Sequence, residues 1–202
     1  ALQADLFSEL QEAFRYPTSP YWREHDYARR TEYFSFVEPL SARREPSFPE
    51  SVVTMAIHRI LALACDRLPH LIGDPGSVGA AEWWVHWKPS SAGTPLHFDS
   101  AVDPTNSQED GIRTPLLSSV LYLSDSDVGG PTFITDQPLS DGDSFSGSSD
   151  CSKDGGFGVG RLVFPHPNRL LLFRGDLMHG VVPPPGVQPQ STWTTPGRIT
   201  FM

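Results

Sequence analysis

At 202 residues the chain has the length of one domain and can bury a core without disulfide staples, and 38% hydrophobic residues speak against wholesale disorder. Its 20 prolines and 17 glycines disfavour a bundle of long helices and predict many short elements joined by turns. A net charge of -9, set by the acids of residues 97–155 against Arg113 and Lys153, speaks against a nucleic-acid partner, and no apolar run approaches the roughly 20 residues of a membrane span.

Leu2, Leu6, Leu10 and Phe14 recur at helical spacing and predict a first amphipathic helix that ends before Pro17. A polar and aromatic connector follows, with a strand predicted over 33–37. Ser47-Phe48-Pro49-Glu50 has the form of a capping box with Pro near the first helical position. It predicts a second helix whose apolar stripe is Val53, Ile57, Ile60, Leu61, Ala64 and Leu68. After Gly73-Asp74-Pro75-Gly76 the period changes from helix to strand. Short β-rich runs follow at 82–88, 96–99, 116–124, 132–135, 161–164, 168–174, 180–182 and 198–202.

This order predicts a mainly β chain, a jelly roll or the related double-stranded β-helix, with the N-terminal helices packed on it. Residues 1–202 read as a single domain, in which a mainly helical region over 1–72 supports a catalytic β core over 82–202. Residues 136–160, rich in Ser, Gly and Asp, predict a mobile insertion. Two cysteines are too few for a disulfide framework, and Cys65 in its apolar helical run reads as a buried free thiol. A reducing, cytoplasmic compartment is the corresponding expectation.

His97-Phe98-Asp99 falls in the predicted strand 96–99, where residues i and i+2 share a face, so an imidazole and a carboxylate project together. His179 stands in the predicted turn after the run 168–174. Two histidines and one carboxylate on one face of a metal leave the opposite positions open, which is the facial triad of non-haem Fe(II) oxygenases. Arg198 and Thr200 share a face of the last strand, where a guanidinium could grip a carboxylate through two bonds. In the run 82–88, Trp83 and Trp87 share one face and Trp84 and His86 the other. One face is expected to line a pocket and one the core, and Trp84, His86 and Trp87 are the candidate substrate contacts. His25, His58, His70 and His166 have no partner at ligand spacing and read as structural. Asp141-Gly142-Asp143 lacks the Gly and Glu positions of an EF-hand and reads as solvated loop.

His97-Phe98-Asp99, the runs 116–134 (LLSSVLYLSDSDVGGPTFI) and 164–184 (FPHPNRLLLFRGDLMHGVVPP), and Arg198-Ile199-Thr200 together resemble the 2-oxoglutarate- and Fe(II)-dependent oxygenase superfamily, closest to its prolyl-4-hydroxylase-like branch. The resemblance covers about residues 82–202. It implies that His97, Asp99 and His179 bind Fe(II) and carry the catalysis. It further implies that Arg198 binds the distal carboxylate of 2-oxoglutarate, with the hydroxyls of Tyr122 and Thr200 beside it. The segment from His179 to Arg198 is longer than the family usually shows and rich in proline, so Arg174 and Arg161 stand as alternative carboxylate partners.

The implied reaction consumes O2 and 2-oxoglutarate, releases succinate and CO2, and hydroxylates an unactivated C–H bond of a small molecule or a peptide or prolyl substrate. Asp99 favours hydroxylation, or a related desaturation or demethylation, because halogenating relatives lack that carboxylate. The acidity of the loops suggests a neutral or cationic substrate. Two other classes compete. A cupin-like metalloenzyme would keep the metal ligands without needing a carboxylate-gripping Arg, and a non-catalytic β-helix binding domain would need neither.

Overall fold

The structure is a computed structural model and describes residues 1–25, 34–40, 51–101, 113–125, 127–139, 158–184 and 197–202. The chain is mainly β, with ten strands among the described residues and a few helices ahead of most of them. The strands are β1 (Phe36–Pro39), β2 (Ala80–Trp83), β3 (Val85–Pro89), β4 (Thr94–His97), β5 (Leu117–Tyr122), β6 (Thr132–Pro138), β7 (Gly160–Val163), β8 (Leu170–Arg174), β9 (Leu177–Val181) and β10 (Gly197–Phe201). They form a two-stranded sheet β1-β2 and two four-stranded sheets in the orders β3-β10-β5-β8 and β4-β9-β6-β7, with every described pair antiparallel.

Alternation along the strands divides the interior into two layers. Val85 and Trp87 of β3, Leu121 of β5 and Phe201 of β10 point outward and join Leu10, Phe14, Tyr21, Trp22, Ile57 and Ile60 in one apolar cluster. Their neighbours point the other way, where Val120, Tyr122 and Phe173 meet Ile134 of the opposite sheet in a second cluster. Helices therefore cover the outer face of the first four-stranded sheet, and the inner faces of the two sheets close on each other.

The helical layer comprises α1 (Ala4–Ala13), α2 (Pro20–Glu24), α3 (Val52–Arg67) and α4 (Pro69–Ile72). The spacing of Leu6 and Leu10 forms α1 as expected, with Leu2 and Phe14 buried just beyond its ends. The short helix α2 lies in the segment read from sequence as a connector. It starts with Pro20 at its first position, where the missing N–H costs nothing, and it buries Tyr21 and Trp22. The Tyr21 hydroxyl accepts from the Val85 N–H at 3.1 Å and donates to the Val85 carbonyl at 3.3 Å, and burial pushes its pKa up to about 12. Trp87 stacks on Tyr16 with ring centroids 4.6 Å apart.

Several sequence expectations shift. The predicted capping box at 47–50 lies outside the described residues, and α3 begins at Val52, where Ser51 Oγ accepts the Thr54 N–H at 3.1 Å. Pro69 disfavours helical geometry at Leu68, which separates α3 from α4, an element not anticipated. The run 82–88 is not one strand. It changes sheets at Trp84, whose N–H and carbonyl pair with Met202, each at 3.0 Å, so β2 joins β1 while β3 joins β10. The predicted insertion at 136–160 is strand at both margins, since β6 runs to Pro138 and β7 starts at Gly160, and 140–157 lie outside the described residues. So do Asp141-Gly142-Asp143 and the proline-rich 185–196.

Cys65 is a free, half-buried thiol. Among the described residues no helix is long and apolar enough to cross a membrane.

Candidate metal centre

His97 ends β4 and His179 lies directly opposite it on β9. This places His179 in a strand rather than in the predicted turn, which is shorter than expected and leaves β9 to begin at Leu177. Asp99 also differs from expectation. β4 stops at His97, so the carboxylate is carried by the segment just beyond the strand and is held there by a hydrogen bond from Ser118 Oγ to Asp99 Oδ2 at 2.6 Å.

The ligand atoms of His97, Asp99 and His179 lie within 4.8 Å of one another. Asp99 Oδ1 is 3.5 Å from His179 Nε2 and 3.8 Å from His97 Nε2. On the far side of each ring, Nδ1 meets a backbone carbonyl, Pro95 at 2.9 Å for His97 and Leu177 at 3.0 Å for His179. A carbonyl only accepts, so both rings carry their proton on Nδ1 and turn the Nε2 lone pair inward. Burial lowers the pKa of His179, a change the Asp99 charge opposes. Two neutral imidazole nitrogens, one carboxylate oxygen and outer hydrogen bonds that fix all three match the donor chemistry of a divalent metal. The residues therefore fit the ion that the sequence resemblance implies.

Behind this cluster the inner face of the first four-stranded sheet is cationic. On β10, Arg198 lies opposite Lys88 of β3, and Thr200 lies opposite His86 on one side and Tyr122 on the other. Arg198 is only 6% exposed and its Nη1 donates to the Gly130 carbonyl at 3.0 Å. Gly129 has φ 91°, open to glycine, and an added Cβ would stand 3.2 Å from Arg198 Cβ, so the turn lies against the arginine.

Lys88 Nζ donates to Thr94 Oγ1 at 2.9 Å, and the Tyr122 hydroxyl meets Thr132 Oγ1 at 2.7 Å. Burial lowers the pKa of both cations, and each cation lowers that of Lys88 or His86 further. Burial, reinforced by Lys88, Arg198 and His97, holds the His86 imidazole neutral, with its pKa lowered to about 3. Among the described residues neither Lys88 nor Arg198 has a carboxylate partner.

Arg174, one alternative to Arg198, is half-exposed and paired with Asp176. Arg161, the other, lies exposed on β7. Of the candidate substrate contacts, Trp84 lines a cavity that includes Asp99 and His179. His86 faces the cationic interior, and Trp87 is not at the site, because alternation turns it outward onto the helices. His25 packs among Tyr21, Phe34 and Phe36, and the exposed His166 bonds Asp127.

Lys88 and Ser118 were missed by the sequence reading. Both carry a period-two signal, since Lys88 is two residues from His86 and Ser118 is four from Tyr122, each on the inward face. No protein-family model matches the chain, and no curated protein matches it.

Proposed function

We propose that the chain is an Fe(II)- and 2-oxoglutarate-dependent oxygenase built on a double-stranded β-helix. From β3 to β10 successive strands switch between two facing sheets, in the orders β3-β10-β5-β8 and β4-β9-β6-β7, except for the β6-β7 hairpin that stays within one sheet, and this is the winding expected of that architecture. The observation that carries the reading is one interior holding both a three-ligand metal cluster and a buried arginine beside a half-buried lysine, neither with a carboxylate partner among the described residues. Buried charge is costly unless compensated, so such a pair calls for an anionic ligand. A dicarboxylate supplies it, and neither a cupin-like centre that uses no 2-oxoglutarate nor a binding scaffold has a use for it.

His97, Asp99 and His179 would hold the metal through Nε2, Oδ1 and Nε2. When bound, Fe(II) supplies O2 activation coupled to loss of CO2 from 2-oxoglutarate, with one oxygen atom passing to succinate and one to the hydroxylated product. The protein's own part is positioning. Arg198 and Lys88 bind the distal carboxylate by charge-assisted bonds, the Tyr122 hydroxyl and Thr200 complete that wall, and neutral His86 spaces it from the metal ligands without adding charge. Ser118 engages Oδ2 of Asp99 and leaves Oδ1 for the metal.

The test is succinate formation from Fe(II), 2-oxoglutarate and O2 across a panel of peptides and small molecules. Succinate that depends on Fe(II), and is lost with Asp99→Ala, is the expected result. Metal binding without any 2-oxoglutarate binding in calorimetry would remove the oxygenase reading.

A further inference from the structure

The two open sides of the candidate metal centre differ in chemistry. One is the cationic wall of Lys88 and Arg198. The other is a cavity of about 430 Å³ that includes Asp99 and His179 at one end and runs past Trp84 and Met202 to Ile57, Ile60 and Leu61 of α3. Its volume is within the range of small-molecule sites. None of His86, Lys88, Tyr122 or Arg198 lines it, and among the described residues its only charged lining residues are Asp99 and Glu82. Among the described residues the cavity therefore offers an anion no cationic lysine or arginine.

We infer that the substrate oxidised at this centre is an uncharged, largely apolar small molecule seated between α3, the β1-β2 sheet and the inner end of β5. This rests on the oxygenase reading for the word substrate, while the seat itself rests on the cavity alone. An extended peptide would bring amide groups against Ile, Leu, Val and Trp side chains, where each unpaired group costs free energy.

Gly79 supplies the test, because it lines the cavity and a Cβ added there meets nothing within 4 Å. Gly79→Phe adds bulk at the exposed rim of the cavity without displacing backbone, and circular dichroism checks its fold. Leu61→Lys, at a half-buried position on α3, introduces a cation as a second variant. The probe is the uncharged fluorophore N-phenyl-1-naphthylamine, titrated into the full chain and followed by its emission on excitation of tryptophan.

Saturable binding, weakened by about tenfold or more in both variants, is expected. In parallel, uncharged apolar compounds should stimulate succinate formation and charged peptides should not. Probe binding that is absent, or indifferent to Gly79→Phe and Leu61→Lys, overturns the inference. Succinate formed with charged peptides alone overturns it as well. Absence of succinate with every compound, alongside intact and variant-sensitive probe binding, instead overturns the oxygenase reading and with it the substrate assignment.

Discussion

Lys88 and Arg198 stand directly opposite each other on β3 and β10, two like charges on the same inner face. Directly opposed like charges destabilise a sheet and burial adds to the cost, and on the proposed reading a dicarboxylate ligand offsets both. Arg198→Ala should weaken 2-oxoglutarate binding by about 2–5 kcal/mol, roughly 30-fold or more, as truncation of a buried charge pair does. Lys88→Met should act in the same direction and Tyr122→Phe more mildly. Calorimetry with a redox-inert divalent metal in place separates these effects from metal binding, which should stay unchanged. An unaltered 2-oxoglutarate affinity in Arg198→Ala would send the carboxylate elsewhere.

Ser118→Ala removes the hydroxyl that holds Asp99 Oδ2. Loss of an outer hydrogen bond of this type typically costs about 10–100-fold in metal affinity. Chelator competition should show that loss, with a larger one for Asp99→Ala. Equal affinity in Ser118→Ala and wild type would mean that the segment beyond β4 holds the carboxylate unaided.

His86 makes stability fall in acid. Unfolded, the imidazole takes its proton near pH 6.5, while in the fold it does so only near pH 3. Between those values the unfolded chain binds more protons, so stability drops as pH falls, by up to about 1.4 kcal/mol per pH unit, and above pH 6.5 the group contributes no slope. Urea midpoints measured from pH 7 to pH 4.5 should decline less steeply in His86→Gln than in wild type. Parallel declines would show that other groups set the acid response.

Gly130→Ala should unfold or severely weaken the chain. A Cβ at Gly130 would lie 1.7 Å from the Val182 carbonyl oxygen, a backbone atom that cannot step aside, and the Gly130 carbonyl is also the acceptor for Arg198. Thermal unfolding reads the loss directly. A Tm close to wild type would contradict the close approach of this turn to the end of β9.

Periodicity carried most of what was legible. Apolar spacing located α1 and the body of α3, and alternation put Trp83 with Trp87 and Arg198 with Thr200 on shared faces, because both signals are local, but it left open which tryptophan face is core. The cluster of His97, Asp99 and His179 was readable as a set of residue types, yet its assembly is not local. Pairing of β4 with β9 brings the histidines together, and a serine from the other sheet holds the aspartate. The break at Trp84 was illegible for the same reason. Nothing in the run 82–88 announces that its first half pairs with β1 and its second with β10, a choice made by strands distant in sequence. The cap at Ser51 was overlooked because Ser47-Phe48-Pro49-Glu50 offers a stronger local pattern four residues earlier.

The sheet change at Trp84 has a bearing on inhibitor design. Trp84 walls the apolar cavity, and four residues further along the same extended ribbon Lys88 reaches the cationic wall, a span of about 13 Å at roughly 3.3 Å per residue. On the proposed reading, a single linear compound with a hydrophobic tail at one end and a carboxylate at the other would match this ribbon along its length. Its two ends would anchor to one continuous stretch of backbone, so the spacer length that gives the tightest binding becomes a ruler for the distance between the two seats.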